Sequence, residues 1–151
     1  MRLFLVQHAK SASKEADPER PLTEEGRRDI EKVAAFIKPL KLTVSYLWHS
    51  GKTRAQQTAE ILAEAVNAGK EMTIHYGLAP NDDVRTIKEE IETVRQDIMI
   101  VGHLPFLDKL ASLLLTGSES AGIVAFKQGG ILCLSNENNW QIEWMIIPEL
   151  L

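Results

Sequence analysis

The feature that most constrains this chain is the alternation of short β-rich runs with longer amphipathic stretches. Leu3–Val6, Val44–Trp48, Met72–Tyr76 and Ile98–Val101 are apolar and β-favouring, and each is too short to make a helix. Between them the apolar residues recur at helical spacing. Ile30, Val33, Ala34 and Ile37 follow i, i+3, i+4, i+7, with Thr23 as an N-cap and Glu24 and Glu25 at the positive end of the helix dipole. Ala55, Thr58, Ala59 and Leu62 repeat the spacing. Val84, Ile87, Ile91 and Val94 follow it behind Asp82 or Asp83 as cap, and Leu107, Leu110, Ala111 and Leu114 follow Pro105, a residue favoured at the first helical position. Strands alternating with helices predict βαβ units around a parallel sheet.

Beyond Gly117 the pattern changes. Ile131–Leu134, the turn-rich Asn136-Glu137-Asn138-Asn139 and the alternating Trp140, Ile142, Trp144 and Ile146 predict a hairpin at a sheet edge. The expected fold class is therefore α/β, a three-layer α/β/α arrangement with a mostly parallel sheet and an antiparallel C-terminal edge. At 151 residues the chain has room for one domain, 1–151, and no stretch rich in Pro, Gly or Ser reads as a linker.

Ligands of open α/β sheets bind beyond the carboxyl ends of the strands. His8 follows the first run, Ser50 and Arg54 follow the second, and His103 follows the fourth. A histidine is both nucleophilic and proton-sharing near neutral pH, and an arginine presents a planar fork that matches phosphate oxygens. Two histidines, arginines and a helix start behind Leu104-Pro105 thus suit phosphoryl transfer, with one imidazole carrying the phosphoryl group.

Other readings are excluded. With Lys+Arg 17 against Asp+Glu 21 the net charge is −4, the wrong sign for a nucleic-acid or anionic-membrane partner, so any anion must be held by a local pocket. Gly51-Lys52-Thr53 looks like the end of a P-loop, but the position five residues before Gly51 is Tyr46. His49, His75 and Cys133 have no zinc-site spacing with the other histidines, and Cys133 reads as a small core residue. Trp48, Trp140 and Trp144 read as strand residues. Leu3–Val6 is too short for a signal-peptide core or a membrane span, which predicts a cytoplasmic protein.

Four segments carry a resemblance: Leu5-Val6-Gln7-His8-Ala9, Arg20-Pro21-Leu22-Thr23, Ser50-Gly51-Lys52-Thr53-Arg54-Ala55-Gln56-Gln57-Thr58 and Val101-Gly102-His103-Leu104-Pro105. In this order they resemble the signatures of the histidine phosphatase (phosphoglycerate mutase-like) superfamily, and among its branches the short phosphohistidine phosphatases of the SixA type. The resemblance implies that His8 is the phosphorylated nucleophile, that Arg20 and Arg54 bind the phosphoryl oxygens, and that His103 lies beside them and donates to the group in flight; Ser50 and Gln7 are candidate phosphate-binding residues. It implies no metal and no organic cofactor, and a phosphorylated protein or a small phosphorylated molecule as substrate. The oligomeric state is left open, a monomer being compatible with everything in the sequence.

The chain departs from the family's Arg-His-Gly opening, with Gln7 for the arginine and Ala9 for the glycine. A neutral amide contributes about 1 kcal/mol to a hydrogen bond against about 1.5–3 for a charged donor, so Lys10 or Lys52 becomes a candidate to restore the charge. Larger family members carry a carboxylic acid that protonates alcohol leaving groups and the SixA type lacks the usual glutamate; in the corresponding stretch Leu78–Asp83, Asp82 or Asp83 is a candidate acid, although helix capping suits both better. The expected activity is phosphohistidine hydrolysis. Hydrolysis of small phosphomonoesters and phosphate binding with little turnover are the alternatives.

Overall fold

A computed structural model describes residues 1–151. The strands are β1 (Arg2–Gln7), β2 (Thr43–Val44), β3 (Tyr46–His49), β4 (Asn67–Ala68), β5 (Thr73–Ile74), β6 (Ile98–Gly102), β7 (Ile131–Asn136) and β8 (Trp140–Ile146). The helices are α1 (Glu24–Ile37), α2 (Thr53–Ala63), α3 (Val84–Val94) and α4 (Phe106–Thr116). Six strands form one sheet in the order β5-β3-β6-β1-β7-β8, parallel from β5 to β1 and antiparallel through β7 and β8.

The two faces of the sheet explain why β1 and β6 read as unbroken apolar runs. Phe4, Val6, Met99 and Val101 point to the layer of α1 and α2, where they meet Ile30, Val33, Ala55, Ala59 and Leu62. Leu3, Leu5, Ile98 and Ile100 point to the layer of α3 and α4, where they meet Ile87, Ile91, Leu107, Leu110 and Ala111. A strand covered on both sides has no solvent face to alternate with. Each such buried side chain contributes roughly 1.5–3 kcal/mol, so the two layers fix the strand order firmly. No helix is long and apolar enough to cross a membrane.

Several boundaries differ from the sequence-based expectations. The run Val44–Trp48 is two strands: Val44 pairs with Ala68 in a separate two-stranded ladder, while Tyr46–His49 joins the main sheet. Between them the Ser45 N–H donates to the Asp97 carbonyl, which passes the chain from one ladder to the other. The run Met72–Tyr76 shortens to Thr73–Ile74 because it lies at the sheet edge with β3 as its single neighbour. Thr23 caps α1 by accepting from the Gly26 N–H, and Asp83 rather than Asp82 caps α3, accepting from the Arg85 N–H. Pro105 precedes the first helical residue of α4 by one position.

The C-terminal hairpin forms, but its alternation is broken. Cys133 pairs with Trp144 and Leu134 with Ile142, leaving Glu143 as an extra residue in β8. Such a bulge moves every later side chain to the opposite face. Trp140 therefore packs in the α3/α4 layer while Trp144 and Ile146 pack in the α1/α2 layer.

Candidate active site

The strands β3, β6 and β1 are neighbours, and their carboxyl ends deliver Ser50, His103 and His8 side by side. The His8 N–H donates to the Gly102 carbonyl at 3.0 Å, which ties the first histidine to the residue before the second. The two imidazole rings lie 5.2 Å apart, centre to centre, and both are buried.

His8 is held in a defined tautomer. Its Nδ1 lies 2.7 Å from the Ala9 carbonyl oxygen, which only accepts, so Nδ1 carries the proton and Nε2 keeps its lone pair. Burial is the main cause that pushes the His8 pKa down from 6.5 to about 4; the Ala9 bond opposes it, and the charges of Arg54 and Arg20 add to it. The His103 pKa falls to about 3, again mainly by burial, then through His8, Arg54, Lys52 and Arg20. Both rings are neutral at pH 7, and His8 has the electronic form of a nucleophile.

Arg54 lies in the first turn of α2, where its carbonyl accepts from the Thr58 hydroxyl at 2.8 Å. The same Thr58 oxygen accepts from the Ala9 N–H at 3.0 Å, so α2 is clamped to the end of β1. Arg20 reaches the site from the loop before α1 with a left-handed backbone, φ 50°. That conformation costs a non-glycine residue about 1–2 kcal/mol. It is held by the Arg20 N–H donating to Asp17 and the guanidinium donating to Ala12 and Ser11. Burial and the neighbouring Arg20 charge lower the Arg54 pKa, so two guanidinium groups repel one another here.

Five buried side-chain polar atoms have no hydrogen-bond partner within the protein, and three of them lie here: Gln7 Oε1, Arg54 Nε and His103 Nδ1. Leaving such a group unsatisfied costs about 1–3 kcal/mol each. Two cations without a carboxylate partner and an unpartnered Arg54 N–H beside the neutral His8 ring suit an anion that brings several acceptor oxygens. An Asn or Gln amide that turns by 180° exchanges its acceptor for a donor, so Gln7 is able to join them.

The remaining candidates lie as follows. Ser50 Oγ is 2.6 Å from His103 Nε2. Lys10 Nζ is paired with Glu25 at 2.6 Å, on an exposed part of the surface. The Lys52 side chain is exposed, and its charge, unlike that of Lys10, acts on His103. Asp82 accepts from the Ala79 N–H, and Asp83 is bound by the backbone and guanidinium of Arg85, which hold its carboxyl below the usual range. His49 is buried and accepts from the Gly51 N–H, and His75 stacks on Trp48 and pairs with Glu90. No three His, Cys, Asp or Glu side chains are grouped to hold a metal ion.

Three positioning contacts leave no mark of their own in the sequence pattern. Thr58 clamps α2 to β1, Gln57 accepts from the Leu22 N–H at 2.8 Å, and Gly26 lies against the Lys10 carbonyl. A Cβ on Gly26 would meet that oxygen at 2.1 Å, so no other residue fits. The Thr58 and Gln57 contacts lie inside the motif Ser50–Thr58, whose length was the signal available for them.

Comparison with known proteins gives the same picture. Residues 3–80 match the histidine phosphatase superfamily (branch 1). The chain is 24% identical to the phosphohistidine phosphatase SixA of Escherichia coli (strain K12) over 153 aligned positions, covering 98% of this chain and 94% of that protein. Its fold superposes on the solved structure of the protein histidine phosphatase SixA complexed with tungstate at a TM-score of 0.87, with 22% identity and 99% of both chains covered. A phosphoserine phosphatase from Entamoeba histolytica superposes at 0.71 with 15% identity, covering 95% of each chain. With its phosphoglycerate mutase-like fold and a family match over more than half its length, the chain belongs to the histidine phosphatase superfamily and is a phosphatase of that superfamily.

Proposed function

We propose that residues 1–151 act as one domain that hydrolyses phosphohistidine, with a phosphorylated protein as substrate. The observation that carries the reading is the set of unpartnered buried polar atoms of Gln7, Arg54 and His103 around a neutral His8 whose Nδ1 proton is already committed. The SixA relative, described as a phosphohistidine phosphatase, supports the substrate class.

In the first step His8 Nε2 attacks phosphorus in line. The N–P bond of the substrate breaks, and the departing imidazole nitrogen takes a proton from a water molecule, whose hydroxide is neutralised by the proton released when the water of the second step becomes part of the phosphate. Arg20, Arg54, His103 and the rotated Gln7 amide hold the three equatorial oxygens while their charge redistributes. In the second step water attacks the phosphorus on His8, releasing phosphate and restoring the neutral ring. The exposed Lys52 adds positive potential at the entrance, the part that Lys10 cannot play while it is paired with Glu25.

An imidazole leaves without a strong acid, whereas an alkoxide does not. Asp82 and Asp83 are engaged by their own loop and helix and contribute no charge at His8 or His103. This favours an N–P bond over a phosphomonoester. The test compares kcat/KM for a phosphorylated histidine protein and phosphoramidate with that for phosphoserine and nitrophenyl phosphate. Preference for the N–P substrates by tenfold or more is expected. Preference for the esters would give the phosphomonoester reading, and tight phosphate binding without turnover would make the chain a binding module.

A further inference from the structure

Ser50 and His103 are 53 residues apart and meet because β3 and β6 are adjacent, with Ser50 Oγ 2.6 Å from His103 Nε2. A hydroxyl has one proton and two acceptor lone pairs, so the direction of this bond follows from where that proton finds an acceptor. The Lys52 N–H donates to Ser50 Oγ at 3.3 Å. That bond fills one of the two acceptor positions of the oxygen, and His103 Nε2 is the one acceptor that the structure places within reach of the hydroxyl proton. Nε2 then accepts, and a neutral ring whose Nε2 accepts carries its proton on Nδ1. Nδ1 is buried with no protein partner.

Building on the phosphatase reading above, we infer that Ser50 is a positioning residue that fixes His103 as its Nδ1–H tautomer, so that this N–H donates to an oxygen of the phosphoryl group. The chain of bonds runs from the Lys52 N–H to the Ser50 hydroxyl to His103 Nε2. No proton is transferred along it, and His103 stays a neutral donor through both steps. Burial and the surrounding groups suit this role: His8, Arg54, Lys52 and Arg20 act on the ring, and no carboxylate is present among them to favour an imidazolium. In water a neutral histidine prefers the Nε2–H form, so the tautomer must be imposed. Ser50 is the group in place to impose it.

The alternative is that the Ser50 hydroxyl binds the phosphoryl group directly, and a double-mutant cycle separates the two. Ser50→Ala is expected to lower kcat about tenfold, the loss of one positioned hydrogen bond, with little change in KM. Ser50→Thr, which keeps the hydroxyl, is expected to restore most of it. In a His103→Ala background Ser50→Ala should add nothing. Long-range 1H–15N spectra of the His103 ring should show Nδ1–H in the wild type, a shift of that signal on adding tungstate, and loss of the Nδ1–H form in Ser50→Ala. An Nε2–H ring in the wild type, or an equal effect of Ser50→Ala with and without His103, would overturn the inference. Since the spectra need no turnover, failure of the phosphatase reading would appear separately, as an inactive protein with the stated tautomer intact.

Discussion

Arg54 makes opposite contributions to folding and to binding, and replacing it with methionine separates them. Its Nε is buried with no protein partner, and the guanidinium faces the charge of Arg20. Methionine keeps much of the apolar stem, and the backbone bond between Arg54 and Thr58 does not depend on the side chain. The orphaned N–H costs about 1–3 kcal/mol. Part of that is offset by lost packing of the outer stem, so Arg54→Met should stabilise the free protein by about 1 kcal/mol. For a chain of this length that raises Tm by roughly 2–4 °C. Binding should move the other way. A bidentate guanidinium makes two charge-assisted bonds to an oxyanion, and losing about 3 kcal/mol raises Kd roughly 100-fold. The assay is thermal unfolding across a tungstate titration: the variant starts higher than the wild type and is overtaken as tungstate saturates the wild type. A variant less stable than wild type without tungstate, yet equally stabilised by it, would refute the argument.

Acidification probes the neutral histidines. Unfolded histidine has a pKa of 6.5 while folded His8 and His103 lie at about 4 and about 3, so below pH 6.5 the unfolded chain binds more protons and stability falls with pH. The loss between pH 6.5 and 5 should be about 2–3 kcal/mol, visible in urea midpoints, and an unchanged pH dependence in a His8→Ala/His103→Ala double variant would contradict it. Gln7→Arg should tighten tungstate binding by about 0.5–2 kcal/mol, roughly 2- to 30-fold, as measured by calorimetry; weaker binding would mean that the buried position has no room for the longer chain. Asp83→Ala should cost about 1 kcal/mol of stability through loss of the α3 cap while phosphoramidate turnover is retained; a fall in turnover at constant stability would give Asp83 the role of an acid.

The layers and the strand-end histidines were legible because they depend on periodicity. Continuous apolar runs such as Ile98–Val101 appear wherever helices cover both faces of a sheet, and the residue after such a run stands at its carboxyl end. What the sequence hides depends on backbone details without a compositional mark. One extra residue at Glu143 reverses the facing of Trp144 and Ile146 although the alternation reads as regular. The left-handed backbone of Arg20 lies in a loop whose composition suits many conformations. The difference between Lys10 and Lys52 arises from Glu25, fifteen residues from Lys10 and brought to it by the start of α1. Thr58 reads as one more residue of a helical stripe, and its bond to Ala9 appears only when α2 is laid against β1.

The most direct measurement is to trap the phosphoryl group on the protein. Rapid acid-free quenching after mixing with labelled phosphoramidate, followed by peptide mapping, should find an acid-labile, base-stable phosphoryl group on His8, appearing and decaying at rates compatible with kcat, and His8→Ala should show neither label nor turnover. Turnover that persists in His8→Ala, or label on His103 in place of His8, would contradict the assignment of His8 as the nucleophile.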